Sequence, residues 1–181
     1  MTVPVLETER LTLRGFRLED FAAHAAIWAH PRTTRDFRDV VKAFDEEQCW
    51  LSFLRNFGQW HLFGFGAWGL EEKNSGRYIG NVGFFHARRA MDIPFRDLPE
   101  AGWVLAPDLH GKGLATEAVR AALAWADVHL AAPETWCMIG PKNIASQKLA
   151  ERFGYRHAAD ASYQGDGVST YLRPRGGTTL S

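Results

Sequence analysis

The stretch that most invites chemistry runs from Glu100 to Ala118. A strand pattern closes there at Pro107, and a glycine-bearing turn, His110-Gly111-Lys112-Gly113-Leu114-Ala115, opens an alanine-rich helix. Gly111 and Gly113 remove Cβ where the backbone must turn sharply and approach another group. The first amides of a helix lack intrahelical acceptors and sit at the positive end of its dipole. Such a turn suits an anion, worth about 0.3–1 kcal/mol when exposed and up to ~2 kcal/mol when partly buried. A diphosphate is the natural occupant. A P-loop would need Ser or Thr after Gly-Lys, but Lys112 is followed by Gly113. A dinucleotide fingerprint would need Gly or Ala where Thr116 stands and an acid closing the next strand, whereas Glu134 opens it. Two glycines alone are equally consistent with a tight strand-to-helix turn that holds nothing.

Four other side chains are of types that move protons or hold ligands. Glu100 begins the strand before the turn and by alternation shares a face with Gly102 and Val104. A strand-edge glutamate is as often solvated or ion-paired as catalytic. His86 ends the preceding strand and titrates near neutrality unless perturbed. Asn143 and Ser146 open a later helix, where an asparagine N-cap is sufficient explanation for the first of them. Arginines gather in two segments: Arg32, Arg35 and Arg38, then Arg88, Arg89 and Arg96.

The elements that must position these residues follow from periodicity. Glu7 to Arg17 alternates as a strand, with Leu11 and Leu13 on one face. Phe21, Ala25 and Trp28 recur at helical spacing until Pro31 ends the helix, and a second helix spans Asp45 to Trp60. Strands at Phe63 to Glu71 and Tyr78 to His86 flank a turn-rich connection and predict an antiparallel hairpin. A strand at Glu100 to Ala106, a helix at His110 to His129, a strand at Glu134 to Ile139 and a helix at Asn143 to Phe153 follow. Short strands at Tyr155 to Ala159 and Val168 to Leu172 come last. Antiparallel strands in the first half and helix-linked strands in the second imply a mixed α/β sheet covered by helices. Residues 1–175 read as a single domain and 176–181 as a flexible tail.

Bulk properties narrow the partners. The chain has 181 residues, enough for one buried core. Lys plus Arg equals Asp plus Glu at 21 each, so charge makes no case for nucleic acid or an anionic membrane surface. Cys49 and Cys137 have no metal-ligand spacing and read as reduced thiols, so no metal is expected. The charged start, Met1 to Arg10, and the lack of any run of ~18 apolar residues predict a soluble, cytoplasmic protein.

The segment Trp103 to Ala118 resembles the acetyl-CoA signature of the GNAT N-acetyltransferase superfamily, Arg/Gln-x-x-Gly-x-Gly/Ala after a strand. The resemblance is nearest to the Rim-type, ribosomal-protein-alanine branch. Four further pieces match in order: Leu6 to Arg14, Ile79-Gly80-Asn81-Val82-Gly83, Glu100-Ala101-Gly102-Trp103, and Asn143 to Ser146 through Phe153-Gly154-Tyr155. His110 departs from the signature, standing where Arg or Gln is usual. The resemblance implies a GNAT-like, mostly antiparallel sheet with one splayed parallel pair and helices on both faces. It implies acetyl-CoA as co-substrate, with Trp103, Val104 and Leu105 along its pantetheine arm. His110, Gly111, Lys112, Gly113, Leu114 and Ala115 would lie around its diphosphate, and an amide near Leu105 against the thioester carbonyl. It further implies Asn143 on the pantetheine and Ser146 near the sulfur. Glu100 would be the general base acting through a water, with His86 in reserve. Many family members carry a tyrosine acid six residues after the asparagine; here that position is Leu149, and the Rim-type serine points to Ser146 as acid.

The implied reaction is direct attack of a neutral amine on the thioester. At pH 7, freeing the lone pair costs about 4.6 kcal/mol for a lysine-like amine and about 1.4 kcal/mol for an α-amine of pKa ~8. The acceptor is expected to be a peptide or small-molecule primary amine, entering beside the two arginine segments and carrying an anionic group. The enzyme itself would be a monomer or homodimer. A sensor that binds acetyl-CoA without turnover is the alternative.

Overall fold

The computed structural model describes residues 2–35, 44–95 and 97–177, with the backbone alone at positions 34 and 35. Its strands are β1 (Leu6–Glu7), β2 (Leu11–Arg14), β3 (Ala67–Glu72), β4 (Tyr78–Phe85), β5 (Glu100–Leu105), β6 (Glu134–Ile139), β7 (Arg156–Tyr163) and β8 (Asp166–Pro174). Its helices are α1 (Phe21–Ala29), α2 (Pro31–Arg35), α3 (Glu46–Phe63), α4 (Leu114–His129) and α5 (Ile144–Arg152). The strands form one sheet in the order β1-β2-β3-β4-β5-β6-β8-β7. Every neighbouring pair is antiparallel except β5 and β6. This is the mixed sheet that the sequence order implies, with the mostly antiparallel pairing and one parallel pair that the family resemblance adds.

Local chemistry accounts for the element ends. Asp45 caps α3 by accepting from the Gln48 amide, while the Gln48 side chain returns a bond to the Asp45 amide. That helix runs past the expected Trp60 to Phe63 and stops at Gly64, whose φ of 72° makes the left-handed exit. Pro31 does more than end α1: it also starts α2, as proline at a first helical position does. The expected single strand over Glu7 to Arg17 is two strands, because residues 8–10 turn between β1 and β2. The last two strands are longer than their apolar cores suggested. Gln164 and Gly165, both at positive φ, join them in a two-residue turn of the type that matches strand twist.

Helices cover both faces. On one, His24 of α1 and Phe53 of α3 pack among Phe16 and Tyr78. On the other lies α4, whose Ala118, Val119, Ala122, Leu123 and Ala126 are buried. The alanines let that helix approach β4 and β5 closely. Trp60, Trp68 and Trp125 meet edge to face at one border of this core. At the chain's end, Gly176 donates to Asp127 and Gly177 to the Pro174 carbonyl. Residues 178–181 of the expected tail lie outside the described residues.

Candidate active site

The site begins where β5 and β6 part. Their parallel register is Glu100 opposite Trp136, supported by a bond from the Trp136 amide to the Pro99 carbonyl. Beyond it β5 stays paired with β4 as far as Leu105 opposite Gly80, while β6 stays paired with β8. A wedge opens between them. The Ala106 amide donates to Ile79 on β4. Because main-chain groups alternate sides along a strand, those of Val104 also face β4, and those of Trp103 and Leu105 face the wedge.

Gly80 sets how tightly β4 and β5 join. Its φ is 147°, and a Cβ there would lie 2.1 Å from the Val104 carbonyl oxygen, so no side chain fits. The pairing of β3 with β4 slips at Leu70/Glu71, opposite Tyr78 and Gly80, a bulge of the kind that bends a strand.

At the far end of β5 the chain makes a short 3-10 turn (Pro107–Leu109) and then the glycine loop. Gly111 and Gly113 both have φ of 78°, a left-handed conformation that favours glycine. Gly113 is the N-cap of α4 and offers no side-chain acceptor. Among the described residues, no protein acceptor receives the amides of Gly111, Lys112, Gly113, Leu114 or Ala115. The loop is held from behind instead. Arg10 donates to the Lys112 carbonyl at 2.9 Å and to Glu117 at 2.7 Å, and Glu117 also accepts from the Thr8 hydroxyl and the Arg10 amide. His110 turns its ring back, its Nε2 lying 3.1 Å from the Leu105 carbonyl. A carbonyl only accepts, so Nε2 carries the proton. The imidazole thus braces the corner between strand and loop.

The wedge runs into a cavity of about 590 Å³, whose walls include Glu100, Trp103, Val104, Asn143 and Ser146. With Arg89, which also lines it, the structure gathers six of the sequence-derived candidates around one space. Asn143 caps α5 through the Ser146 amide at 3.0 Å. The Ser146 hydroxyl accepts from the Trp103 indole at 3.2 Å, a bridge across the wedge that leaves the hydroxyl proton free to donate.

Glu100 is 3 % exposed, and both its oxygens are engaged: Arg89 Nε and Nη2 reach them at 2.7 Å each. Burial raises the Glu100 carboxyl, and the guanidinium pulls against that rise. Two short charge-assisted bonds keep the pair ionised, and Arg89 is itself held firmly charged by Glu100. Arg89 also lies over the Tyr163 ring, 4.8 Å from its centroid. Cys137, on the β6 wall, is a free buried thiol whose acidity burial suppresses, so it is no nucleophile in that state. Cys49 is also free.

Other candidates lie elsewhere. The His86 ring packs on Phe63 and Phe65 at 4.8 and 5.1 Å and does not line the cavity. Its main chain is clamped by the Gln59 side-chain amide, and burial lowers its pKa. Arg32 and Arg88 are exposed. The Arg35 side chain, Arg38 and Arg96 fall outside the described residues. Three site residues escaped the sequence reading. Arg10 and Glu117 buttress the loop over a separation of 107 positions, and Arg55 of α3 lines the cavity. Arg55 sits one and two turns after Ser52 and Gln48, a polar stripe that in sequence reads as a solvent face.

No helix of the described residues is long and apolar enough to cross a membrane. No group of three or more metal-binding side chains occurs among them. A family model described as the acetyltransferase (GNAT) domain matches residues 10–156. The uncharacterized N-acetyltransferase p20 of Bacillus licheniformis is 30% identical over 156 residues, covering 83% of this chain and 82% of its own. An acetyltransferase of Agrobacterium tumefaciens superimposes with a TM-score of 0.79 at 30% identity, covering 95% of each chain. The fold is shared with the ribosomal-protein-S5-alanine acetyltransferase of Vibrio fischeri, at a TM-score of 0.73, 18% identity, and 96% and 97% coverage. With an anion-ready loop, a parted parallel pair and matches along most of its length, this chain belongs to the GNAT family of acetyltransferases and resembles its Rim-type branch.

Proposed function

We propose that the protein transfers the acetyl group of acetyl-CoA directly to a primary amine held in the β5–β6 cavity. The observation that carries this reading is the run of five unclaimed amides at Gly111 to Ala115, at the end of the strand whose Trp103 and Leu105 face the wedge. Loop amides and helix dipole would take the diphosphate, with Lys112 adding charge. The edge of β5 at Trp103, Val104 and Leu105 would carry the pantetheine arm, and Asn143 would contact it from α5. An amide near Leu105 would oppose charge developing on the thioester oxygen.

In the reaction the amine nitrogen bonds to the acetyl carbon, the carbon–sulfur bond breaks, and one proton must leave the nitrogen. Glu100 takes it through a water. Arg89 occupies one lone pair on each carboxylate oxygen, and a carboxylate has about four acceptor positions in all. Ser146 returns a proton to the departing sulfur. Positioning of a neutral amine against the thioester is the protein's main contribution in this reading.

The test is thiol release from acetyl-CoA with a panel of primary amines. Wild-type protein should turn over, and Glu100→Gln should lose about a hundredfold or more in kcat/KM, the range removal of a general base produces. Since a base works only when unprotonated, wild-type rates should fall as pH drops through the raised Glu100 pKa, and the variant should lack that inflection. Glu100→Gln leaves Arg89 unpaired, so Arg89→Met/Glu100→Gln serves as the folding control. Binding of acetyl-CoA without turnover of any amine would instead mark a sensor.

A further inference from the structure

Arg55 lines the cavity and, among the described residues, has no carboxylate paired with it. It projects from α3 beside Ser52 and opposite Phe85, with its guanidinium 5.7 Å from the Phe85 ring. Among the described residues it makes no ion pair. Its electrostatic neighbours are Arg89, which repels it, and Glu100 and Tyr163, which favour its charge. Glu100 is already engaged on both oxygens by Arg89. The other carboxylate on the cavity wall, Asp166, takes no part in the balance at Arg55. The cavity walls and the second guanidinium lower the Arg55 pKa, Glu100 and Tyr163 offset that only in part, and the side chain, exposed to solvent, keeps its donors available. On the wall formed by β4, the buried Oδ1 of Asn81 has no hydrogen-bond partner among the described residues.

We infer that Arg55 binds an anionic group of the acceptor, making the natural substrate a small amine that also carries a carboxylate. This rests on the acetyl-transfer reading above and names the substrate class of the same site. A guanidinium with free donors is suited to a planar carboxylate, which it holds through two parallel bonds. The aromatic walls at Phe85 and Tyr163 supply apolar contact for the body of such a molecule while the carboxylate lies at Arg55. The Asn81 Oδ1, an acceptor, adds a polar anchor near β5. A polyamine would offer the Arg55 guanidinium only a like charge, since Arg89 is already matched by Glu100.

The experiment compares wild type with Arg55→Gln on amino acids and their carboxamides, which share a carbon skeleton but differ in the anion. Intrinsic amine reactivity cancels in the ratio of ratios. Arg55→Gln should lower the acid-to-amide preference in kcat/KM by ten- to a hundredfold, chiefly through KM for the acids. The amides should lose far less than the acids, and an unchanged circular-dichroism spectrum and KM for acetyl-CoA show that the variant is folded. An unchanged preference, with wild type active on the same panel, overturns the assignment of Arg55 and leaves acetyl transfer standing. Wild type that acetylates amides or spermidine better than every acid overturns it equally. No thiol release with any amine removes the transferase reading, and this inference falls with it.

Discussion

At the scale of single residues, the cavity shows how one side chain's chemistry depends on its partner. Ser146 accepts the Trp103 indole proton and keeps its own to give. A hydroxyl is a weak acid, but a thiolate of pKa ~8.5 leaves with little help. Ser146→Ala should therefore cost kcat only about tenfold, the worth of one hydrogen bond, with KM for acetyl-CoA changed less than about threefold. Initial-rate kinetics decide this, and an unchanged kcat would remove the serine from the mechanism. Glu100 was legible as a candidate from strand alternation, yet its pairing with Arg89 was not. Eleven positions of loop separate the two, and nothing periodic links them. Arg55 was invisible for a different reason: a polar stripe on an amphipathic helix reads as a solvent face, and only the tertiary structure shows that this exposed side chain also lines the cavity.

At the scale of elements, α1 carries a titration built into its packing. His24 is 1 % exposed, bonds the Tyr78 hydroxyl through Nδ1, and leaves Nε2 without a partner. Burial first, then the nearby Arg55 charge, lowers its pKa to about 4, with Asp20 opposing. The unfolded chain takes up this proton near pH 6.5 and the folded chain does not. The stability contributed is thus complete above about pH 6.5 and drains away as pH falls toward 4. Its size is about 3 kcal/mol at 1.36 kcal/mol per pH unit. Denaturant unfolding of wild type and His24→Gln across that window should show a steep decline in the first and a flatter one in the second. Parallel profiles would refute the assignment. Elements were also the most readable level in the sequence. Glu134 to Ile139 forms the strand as expected, and α5 follows its Asn143 cap. The β7–β8 hairpin outran its expected limits because Ser162 to Gly167 has turn-like composition, although tight pairing continues through most of it.

At the scale of the whole molecule, Arg173 knots three elements together. Three per cent exposed on β8, it donates to the Phe153 carbonyl after α5 and, through both terminal nitrogens, to Asp127 of α4 at 2.6 and 2.7 Å. Removing the carboxylate strands a buried guanidinium. Asp127→Ala should cost about 3–5 kcal/mol, whereas Arg173→Met/Asp127→Ala, which removes both charges, should cost clearly less. Urea unfolding of the two variants measures the difference, and equal losses would show that packing dominates the site. Because the knot joins the helix that begins at the glycine loop to the strands beyond β6, it also stabilises the frame around the wedge.

Order along the chain determined much here. Alternation, caps and the glycine turn are local, read within a few residues, and they carried the element sequence, the family resemblance and the loop. Contacts across the sheet were settled only when the chain closed: the parting of β5 from β6, Arg10 reaching Lys112 and Glu117, Arg89 claiming Glu100, and Arg55 placed on the cavity wall. Those depend on which distant residues share a face and a register, and the energy that selects them is spread over the packed core, with no short segment holding it.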